Sequence, residues 1–241
     1  MASVPKQRIA CFHGGGSNGQ ILEVQCARLQ NVLRSEFEFV YFDAPFKRSA
    51  GPGILPIFAD YGPFRSWLKP DGDETELLYG SGFDTTGADG IDRAWSLMRE
   101  RRKTARDEWV GVLGFSQGTR IASGLLLDQQ HRKELGQSHD FDLKFGVICM
   151  GSGAPIKSEA GHVAKSMNAS LPDPILIQSP TIHLHGLKDV NLPGGRLQMA
   201  QYFEPSSATL YEIDYHHAMP WVQKEIEYLA DLIKEAYKSR T

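Results

Sequence analysis

The residues best suited to covalent chemistry lie in the segment Gly114-Phe115-Ser116-Gln117-Gly118. An apolar run precedes this segment and an amphipathic helical pattern follows it, so the serine stands at a predicted strand–turn–helix junction. Flanking glycines permit a strained turn that projects the hydroxyl from the sheet edge. The same five-residue pattern also occurs by chance at glycine-rich strand ends. In this context, however, it predicts that Ser116 is a nucleophile that attacks a carbonyl carbon.

A serine hydroxyl is a poor nucleophile at neutral pH and needs a histidine base that an acid orients. Two adjacent histidines, His216 and His217, follow the last predicted strand. They precede the last predicted helix, in which Pro220 suits the first position. Their place in the chain favours a catalytic role, but the residues alone leave the choice between the two open.

Three downstream aspartates are candidates for the acid. Asp189 ends a turn that follows an apolar, strand-like run, which is where an orienting acid is expected. Asp173 lies between prolines in a segment with no preceding strand. Asp214 ends the last predicted strand and is the more serious rival. Asp189 fits the expected position, and Asp214 stays open as the alternative.

A glycine-rich turn, Phe12-His13-Gly14-Gly15-Gly16-Ser17-Asn18-Gly19, leaves the first predicted strand. Such a turn can direct backbone N–H groups at a negatively charged oxygen that develops during the reaction. We predict that Gly15 and Gln117 supply the two donors of an oxyanion hole. His13 is expected to brace this turn. A phosphate-binding loop is less consistent with this segment, because the segment lacks the G-x-G-x-x-G spacing and the Lys-Ser/Thr ending of such loops.

No metal or cofactor is expected. His183 and His185 could form a metal-binding pair on one strand face, but no further ligand cluster accompanies them, so two strand-end histidines are preferred. The three cysteines, Cys11, Cys26 and Cys149, have scattered spacing that indicates neither a disulfide framework nor a zinc site.

Short apolar runs alternate with longer amphipathic patterns along the chain, which predicts a parallel sheet with helices on both faces. The predicted strands are Ile9–Phe12, Phe37–Phe42, Trp109–Phe115, Leu143–Met150, Thr181–His185 and Ala208–Ile213. The predicted helices are Ile21–Leu33, Ala88–Arg102, Gln117–Gln130, Arg196–Phe203 and Trp221–Lys238.

A single domain over residues 1–241 is expected, with two longer insertions at about 45–86 and 151–179. Long connections in a compact domain are often lids or binding loops. The first insertion is rich in aromatic residues, and Phe46, Phe64 and Trp67 are predicted to contact substrate. An equally good interpretation is that these aromatics pin an irregular loop to the body of the protein.

Composition excludes several classes of function. The formal net charge of −3 gives no electrostatic indication of nucleic-acid binding. The start of the chain lacks the apolar segment of a signal peptide, and no apolar stretch is long enough to span a membrane. A cytoplasmic location is the expectation.

Together, these motifs resemble the fungal family of serine hydrolases, the FSH group, which has the α/β-hydrolase fold. The resemblance covers nearly the whole chain. The segments that carry it are Ile9-Ala10-Cys11-Phe12-His13-Gly14 with Asn18-Gly19, Phe42-Asp43-Ala44-Pro45, Ser66-Trp67, Gly114-Phe115-Ser116-Gln117-Gly118, His185-Gly186 with Asp189, and His217 with Pro220.

The resemblance implies the remaining assignments. The family pattern ends in Gly-His-x-x-Pro, which selects His217, although His216 stands where the family has glycine. The family pattern His-Gly-x-x-Asp selects Asp189 over Asp214. The implied architecture is a three-layer αβα fold with a mainly parallel six-stranded sheet in the order 2-1-3-4-5-6. The N-terminal antiparallel hairpin of larger relatives is expected to be absent.

The resemblance also implies an activity. Relatives include thioesterases that release products from fungal polyketide synthases, so the expected partner is an acyl carrier protein and the expected substrate a hydrophobic acyl chain. Alternatives are a general short-chain carboxylesterase and a hydrolase-fold binding protein with little turnover. An acidic carrier could dock on the basic residues near the aromatic loop, but ordinary surface charge is the slightly preferred interpretation of them. These residues are Lys47, Arg48, Arg65 and Lys69.

Overall fold

The computed structural model describes residues 7–68, 90–102, 108–137, 141–156 and 175–240. The strands are β1 (Gln7–Phe12), β2 (Phe37–Phe42), β3 (Phe46–Lys47), β4 (Arg65–Ser66), β5 (Glu108–Phe115), β6 (Phe145–Cys149), β7 (Thr181–Gly186) and β8 (Ala208–Ile213). The helices are α1 (Gly19–Leu33), α2 (Ile91–Glu100), α3 (Gly118–Glu134), α4 (Leu192–Tyr202) and α5 (Gln223–Lys238), and a 3₁₀ turn spans Ala59–Tyr61.

The six longer strands form one sheet in the order β2-β1-β5-β6-β7-β8, and all five neighbouring pairs are parallel. With β3 and β4 left out of the numbering, this is the predicted order, which is confirmed. The order reverses between β1 and β5, because the chain goes outward from β1 to β2 and then returns to β5. In open parallel sheets, a crevice forms at such a reversal, beyond the carboxyl ends of the strands.

Apolar side chains cover both faces of the sheet and form two clusters. One cluster packs the sheet against α1 and α5, and the other packs it against α2 and α3, so the fold has three layers. The inner strands are buried along nearly their whole length, which explains why they have continuous apolar sequences. Helix residues in the two clusters include Leu22, Leu29, Ile226 and Leu229 on one face, and Trp95, Met98, Leu125 and Leu126 on the other.

The short strands β3 and β4 pair as a separate antiparallel hairpin, which the sequence did not predict. It lies in the first predicted insertion, of which residues 69–86 are outside the described part of the chain. The second predicted insertion is described only at its ends, up to residue 156 and from residue 175. Whether these segments act as lids therefore stays a prediction.

Helix boundaries differ from the predictions by a few residues. Helix α4 begins at Leu192 instead of Arg196, because the early sequence Leu-Pro-Gly-Gly has no helical apolar periodicity. Helix α5 begins at Gln223, so Pro220 precedes the helix and the prediction that it occupies the first helical position was wrong. Among the described helices, none has the length and apolar character needed to cross a bilayer.

Candidate active site

Ser116 occupies a sharp turn between β5 and α3. Its φ of 53° lies in the left-handed region, which residues with a Cβ seldom adopt. The backbone N–H of Ser116 donates to the Cys149 carbonyl (2.9 Å), which ties the turn to the end of β6. The Ser116 carbonyl accepts from the backbone N–H of Thr119 (3.0 Å) and from its hydroxyl (2.7 Å), which starts helix α3. Strand, turn and helix therefore have the arrangement that the five-residue motif predicts.

The two glycines of the motif allow the turn to pass close to neighbouring backbone. A Cβ at Gly118 would overlap the Phe12 carbonyl oxygen at the end of β1. A Cβ at Gly114 would overlap the Gly118 carbonyl oxygen. Larger residues at either position would therefore displace the turn from the sheet. The motif needs glycine here for space, since positive φ is found at the serine and not at these two glycines.

Asp189 and His217 are hydrogen-bonded, with 2.6 Å between Asp189 Oδ2 and His217 Nδ1. The Asp189 side chain is only 2% exposed, whereas the His217 side chain is 29% exposed. The other carboxylate oxygen, Oδ1, accepts from the Asn191 backbone N–H (2.9 Å). An ionised Asp189 places the proton of the imidazole on Nδ1, which leaves Nε2 as the free base.

The His217 ring also packs edge to face against Phe115, with ring centroids 5.0 Å apart. Phe115 immediately precedes Ser116, so the histidine lies beside the turn that carries the serine. The three residues proposed for catalysis thus follow three different strands, β5, β7 and β8, at their carboxyl ends.

Backbone hydrogen bonds join the loop that carries Asp189 to the loop that carries His217. The Leu187 N–H donates to the Ile213 carbonyl (2.8 Å), and the Lys188 N–H donates to the Tyr215 carbonyl (2.9 Å). Gly186 permits this approach, because a Cβ there would lie 2.6 Å from the His216 carbonyl oxygen. These contacts fix the separation of Asp189 and His217.

The rival residues have other surroundings. Asp214 is 71% exposed and pairs with Lys188 Nζ (2.7 Å) on the surface. His216 Nδ1 lies 3.0 Å from the Lys188 carbonyl oxygen, on an exposed side chain. Asp173 lies outside the described residues. The geometry thus favours Asp189 and His217, the residues that the family pattern selected.

The glycine-rich loop after β1 faces the serine. A Cβ at Gly14 would lie 3.1 Å from Ser116 Cβ and 3.6 Å from Ser116 Oγ. Within the described residues, no group accepts a hydrogen bond from the backbone N–H of Gly15 or of Gln117. Gly16 N–H, by contrast, donates to the Arg65 carbonyl (2.8 Å). The two predicted oxyanion donors therefore remain available to a ligand.

His13 is fully buried and holds this loop in place. Its Nε2 accepts from the Ala44 backbone N–H (3.0 Å), so the proton lies on Nδ1, which donates to the Gly14 carbonyl (2.7 Å). Burial lowers the pKa of His13 to about 4, which keeps the ring neutral and able to accept. The contacts are those of the bracing role expected from the sequence.

The predicted substrate contacts differ in exposure. Phe46 and Phe64 are partly exposed, and their contact with substrate stays a prediction. Trp67 is 2% exposed and packs against Phe12, and its indole N–H donates to the His13 carbonyl (2.9 Å). These contacts are those of a side chain that braces the glycine-rich loop, which is the alternative interpretation of the aromatic residues, and contact of Trp67 with substrate stays a prediction.

Two glutamine side chains have roles that the sequence did not reveal. The Gln117 carboxamide oxygen accepts from the Trp67 backbone N–H (2.8 Å). Gln198 of α4 is buried, and its Nε2 donates to the Gly153 carbonyl (2.8 Å) and lies 3.4 Å from Thr119 Oγ1. A glutamine in an amphipathic helix or a turn is ordinary, so neither residue gives a signal in a single sequence.

The histidine pair considered for metal binding lies within β7. His183 and His185 are buried with ring centroids 6.2 Å apart, and His183 Nε2 pairs with Thr181 Oγ1 (3.1 Å). Burial lowers the pKa of His183 to about 3 and also lowers that of His185. Within the described ranges, no group of three or more potential ligands could hold a metal ion.

The parallel sheet and the serine turn at its order reversal define an α/β-hydrolase fold. Solved structures with the same fold include Zea mays acyl-protein thioesterase 2, with a TM-score of 0.59 at 18% identity over 98% of this chain and 96% of that one. The Bacillus cereus carboxylesterase superposes with a TM-score of 0.56 at 14% identity, over 97% of this chain and 90% of that one. The predicted fold is confirmed.

The chain belongs to the Serine hydrolase (FSH1) family, whose model matches residues 1–229. Among similar proteins, esterase citA of Monascus ruber is 35% identical over 95% of this chain and 91% of its own length. Esterase mpl1 of Monascus purpureus is also 35% identical, over 95% of this chain and 76% of its own length. The resemblance inferred from the motifs is therefore confirmed.

Proposed function

We propose that Ser116, His217 and Asp189 form a catalytic triad that hydrolyses acyl esters or thioesters through an acyl-enzyme. The observation that carries this proposal is the partly buried Asp189–His217 hydrogen bond beside a serine in a left-handed turn. Serine hydrolase is the activity of the family to which the chain belongs. The assignment of the three residues and of the substrate is our proposal.

In the proposed reaction, His217 Nε2 takes the proton of Ser116 Oγ as the oxygen attacks the carbonyl carbon. The negatively charged oxygen of the tetrahedral intermediate accepts from the N–H groups of Gly15 and Gln117. Asp189 orients the imidazole and stabilises its protonated form. His217 then gives its proton to the leaving thiol or alcohol, and a water that His217 activates releases the acid.

For the substrate, we propose an acyl thioester, and more specifically a polyketide chain that an acyl carrier protein presents. Support comes from the FSH resemblance and from the fold shared with a protein named acyl-protein thioesterase 2. Four basic residues near the aromatic loop are candidates for docking a carrier. Lys47 is exposed, Arg48 and Arg65 are half-buried, and Lys69 lies outside the described residues. Ordinary surface charge therefore stays the preferred interpretation of these residues.

A general carboxylesterase is the second candidate, and the esterase names of the similar proteins favour it. A binding protein with little turnover is the third. We place the reaction in the cytoplasm as part of the proposal, which is consistent with three buried, unpaired cysteines.

One experiment tests these candidates. Wild type, Ser116→Ala and Ser206→Ala are assayed on pantetheine thioesters and matched oxygen esters of increasing chain length, and each is treated with a fluorophosphonate probe. We expect Ser116→Ala to lose about 10⁴-fold or more in kcat and all labelling. The exposed Ser206 serves as the control and should affect neither. A wild type that neither labels nor turns over would favour the binding protein.

A further inference from the structure

The two ends of the Gln117 carboxamide can be told apart by their neighbours. One end accepts from the Trp67 backbone N–H (2.8 Å), with the Ser66 hydroxyl 3.2 Å away. A backbone N–H can only donate, so this end must be the oxygen Oε1. The nitrogen Nε2 is therefore held in a defined direction on the opposite side.

Nε2 lies against the glycine-rich loop. A Cβ at Gly15 would lie 3.2 Å from Nε2, 3.3 Å from Cδ and 3.4 Å from Oε1, so the face of the carboxamide packs on the glycine. No described residue accepts a hydrogen bond from Nε2. Because Nε2 is nevertheless not among the fully buried side-chain atoms that lack a partner, part of its surface is exposed. Gln117 thus brings unpaired N–H donors next to the two backbone donors proposed for the oxyanion.

From this geometry we infer that the Gln117 carboxamide donates to a second oxygen of the substrate, close in the acyl chain to the reacting carbonyl. The inference rests on the proposed function and narrows its substrate class to chains oxygenated near the carbonyl. An oxygen on the third carbon fits best, because it can lie on the same side as the carbonyl oxygen and so face neighbouring donors. Gln117 is then a residue that determines specificity, in addition to its backbone role.

The energetic basis is the difference between a paired and an unpaired donor. An unsubstituted chain would strip water from Nε2 without replacing its hydrogen bond, whereas a 3-hydroxyacyl chain would replace it. Sites that bind a substrate hydroxyl in this way discriminate against analogues without it. The preference depends on one hydrogen bond, between Nε2 and the substrate oxygen. It can therefore be measured as a ratio of kcat/KM values for two substrates, separately from the overall rate.

The test compares hexanoyl with 3-hydroxyhexanoyl pantetheine thioester, each enantiomer separately, in wild type and Gln117→Glu. Glutamate keeps an oxygen for the Trp67 N–H but has no N–H to donate. We expect wild type to favour the preferred hydroxyacyl enantiomer by about tenfold in kcat/KM, and the variant to lose this preference. The ratio cancels any change in rate that is common to both substrates.

Ser66→Ala is the matched control, because it removes a neighbour of Oε1 and leaves Nε2 unchanged; it should keep the ratio. A wild-type ratio near one, a ratio that Gln117→Glu preserves, or an equal loss of the ratio in Ser66→Ala would each overturn the inference. In those cases the hydrolysis of both thioesters leaves the proposed function intact. If wild type hydrolyses neither thioester and Ser116 is not labelled, the proposed function fails and the inference with it.

Discussion

Two carboxylates near the ends of β7 and β8 have opposite surroundings. Asp189 is 2% exposed and hydrogen-bonded to His217, whereas Asp214 is 71% exposed and paired with a lysine. A solvent-exposed ion pair contributes little to stability, about 0–1 kcal/mol. A buried carboxylate must be compensated by its hydrogen bonds, and both Asp189 oxygens have such bonds. Replacing Asp189 should therefore disturb the position of His217, whereas replacing Asp214 should not.

We expect Asp189→Asn to lower kcat by about 10⁴-fold with little change in fold. An asparagine can turn its NH₂ group toward His217 Nδ1, which would shift the imidazole proton to Nε2 and remove the base. Asp214→Asn is the matched control and should remain within about twofold of wild type. The measurement is kcat on a thioester that wild type hydrolyses. Equal losses in the two variants would contradict the assignment of the acid.

The residues proposed for chemistry could be predicted because each follows a strand end in a recognisable local pattern. The contacts of Trp67 and the side-chain role of Gln117 could not, since they depend on a loop some fifty residues away along the chain. Aromatic residues in a glycine-rich loop predict a loop that is either pinned or open to substrate. The structure shows that Trp67 is pinned, whereas Phe46 remains partly exposed.

Among the elements, helix α4 stands out because it follows the acid directly and packs on the start of α3. The Leu192 N–H donates to the Asp189 carbonyl (3.1 Å) at the beginning of α4. Six residues later, Gln198 reaches Gly153 and Thr119, and Thr119 in turn donates to the Ser116 carbonyl. Hydrogen bonds thus connect the helix after Asp189 to the turn that carries Ser116.

Gln198→Leu should destabilise the protein by about 1 kcal/mol, because it leaves the partly buried Gly153 carbonyl without its donor. We also expect kcat to fall while KM changes little, since the acid and the nucleophile lose a shared support. Urea unfolding and thioester kinetics measure the two effects. Gln223→Leu, on the exposed surface of α5, should change stability by no more than about 0.5 kcal/mol. A Gln198→Leu variant with wild-type stability would contradict the proposed role of this contact.

The main strands and helices could be predicted because they have clear apolar periodicity. Hairpin β3–β4 could not, because each strand has two residues and its position is fixed by tertiary contacts. The Arg65 N–H donates to the Ser17 carbonyl (2.7 Å), and the Arg65 carbonyl accepts from the Gly16 N–H (2.8 Å). This hairpin therefore supports the glycine-rich loop, which no local pattern indicates.

For the whole molecule, buried neutral histidines link stability to pH. Burial lowers the pKa of His13 to about 4 and that of His183 to about 3, from an ordinary value of 6.5. The unfolded chain therefore binds protons below pH 6.5 that the folded protein does not bind. Their contribution to stability is complete above pH 6.5 and is lost as the pH falls toward 4 and 3.

We expect the free energy of unfolding to decrease as the pH is lowered from about 6.5 to 4, by at most about 1.4 kcal/mol per pH unit for each of these histidines. His183→Leu should reduce this slope. His183 faces His185, Thr181 and Phe203, and its Nδ1 has no hydrogen-bond partner in the described structure. Urea unfolding of wild type and His183→Leu at several pH values in this range measures the difference between the two slopes. The contributions of the carboxylates are common to both proteins and cancel in this difference. Identical slopes would show that His183 does not contribute.

The left-handed backbone of Ser116 also affects how this position can evolve. A residue with a Cβ in that region costs the fold on the order of 1 kcal/mol, which glycine would not incur. Selection for turnover and selection for stability therefore act in opposite directions on the same residue. If Ser116 is the nucleophile that we propose, a lineage released from catalysis would gain stability by replacing this serine with glycine, whereas a lineage that keeps the serine retains the energetic cost together with the chemistry.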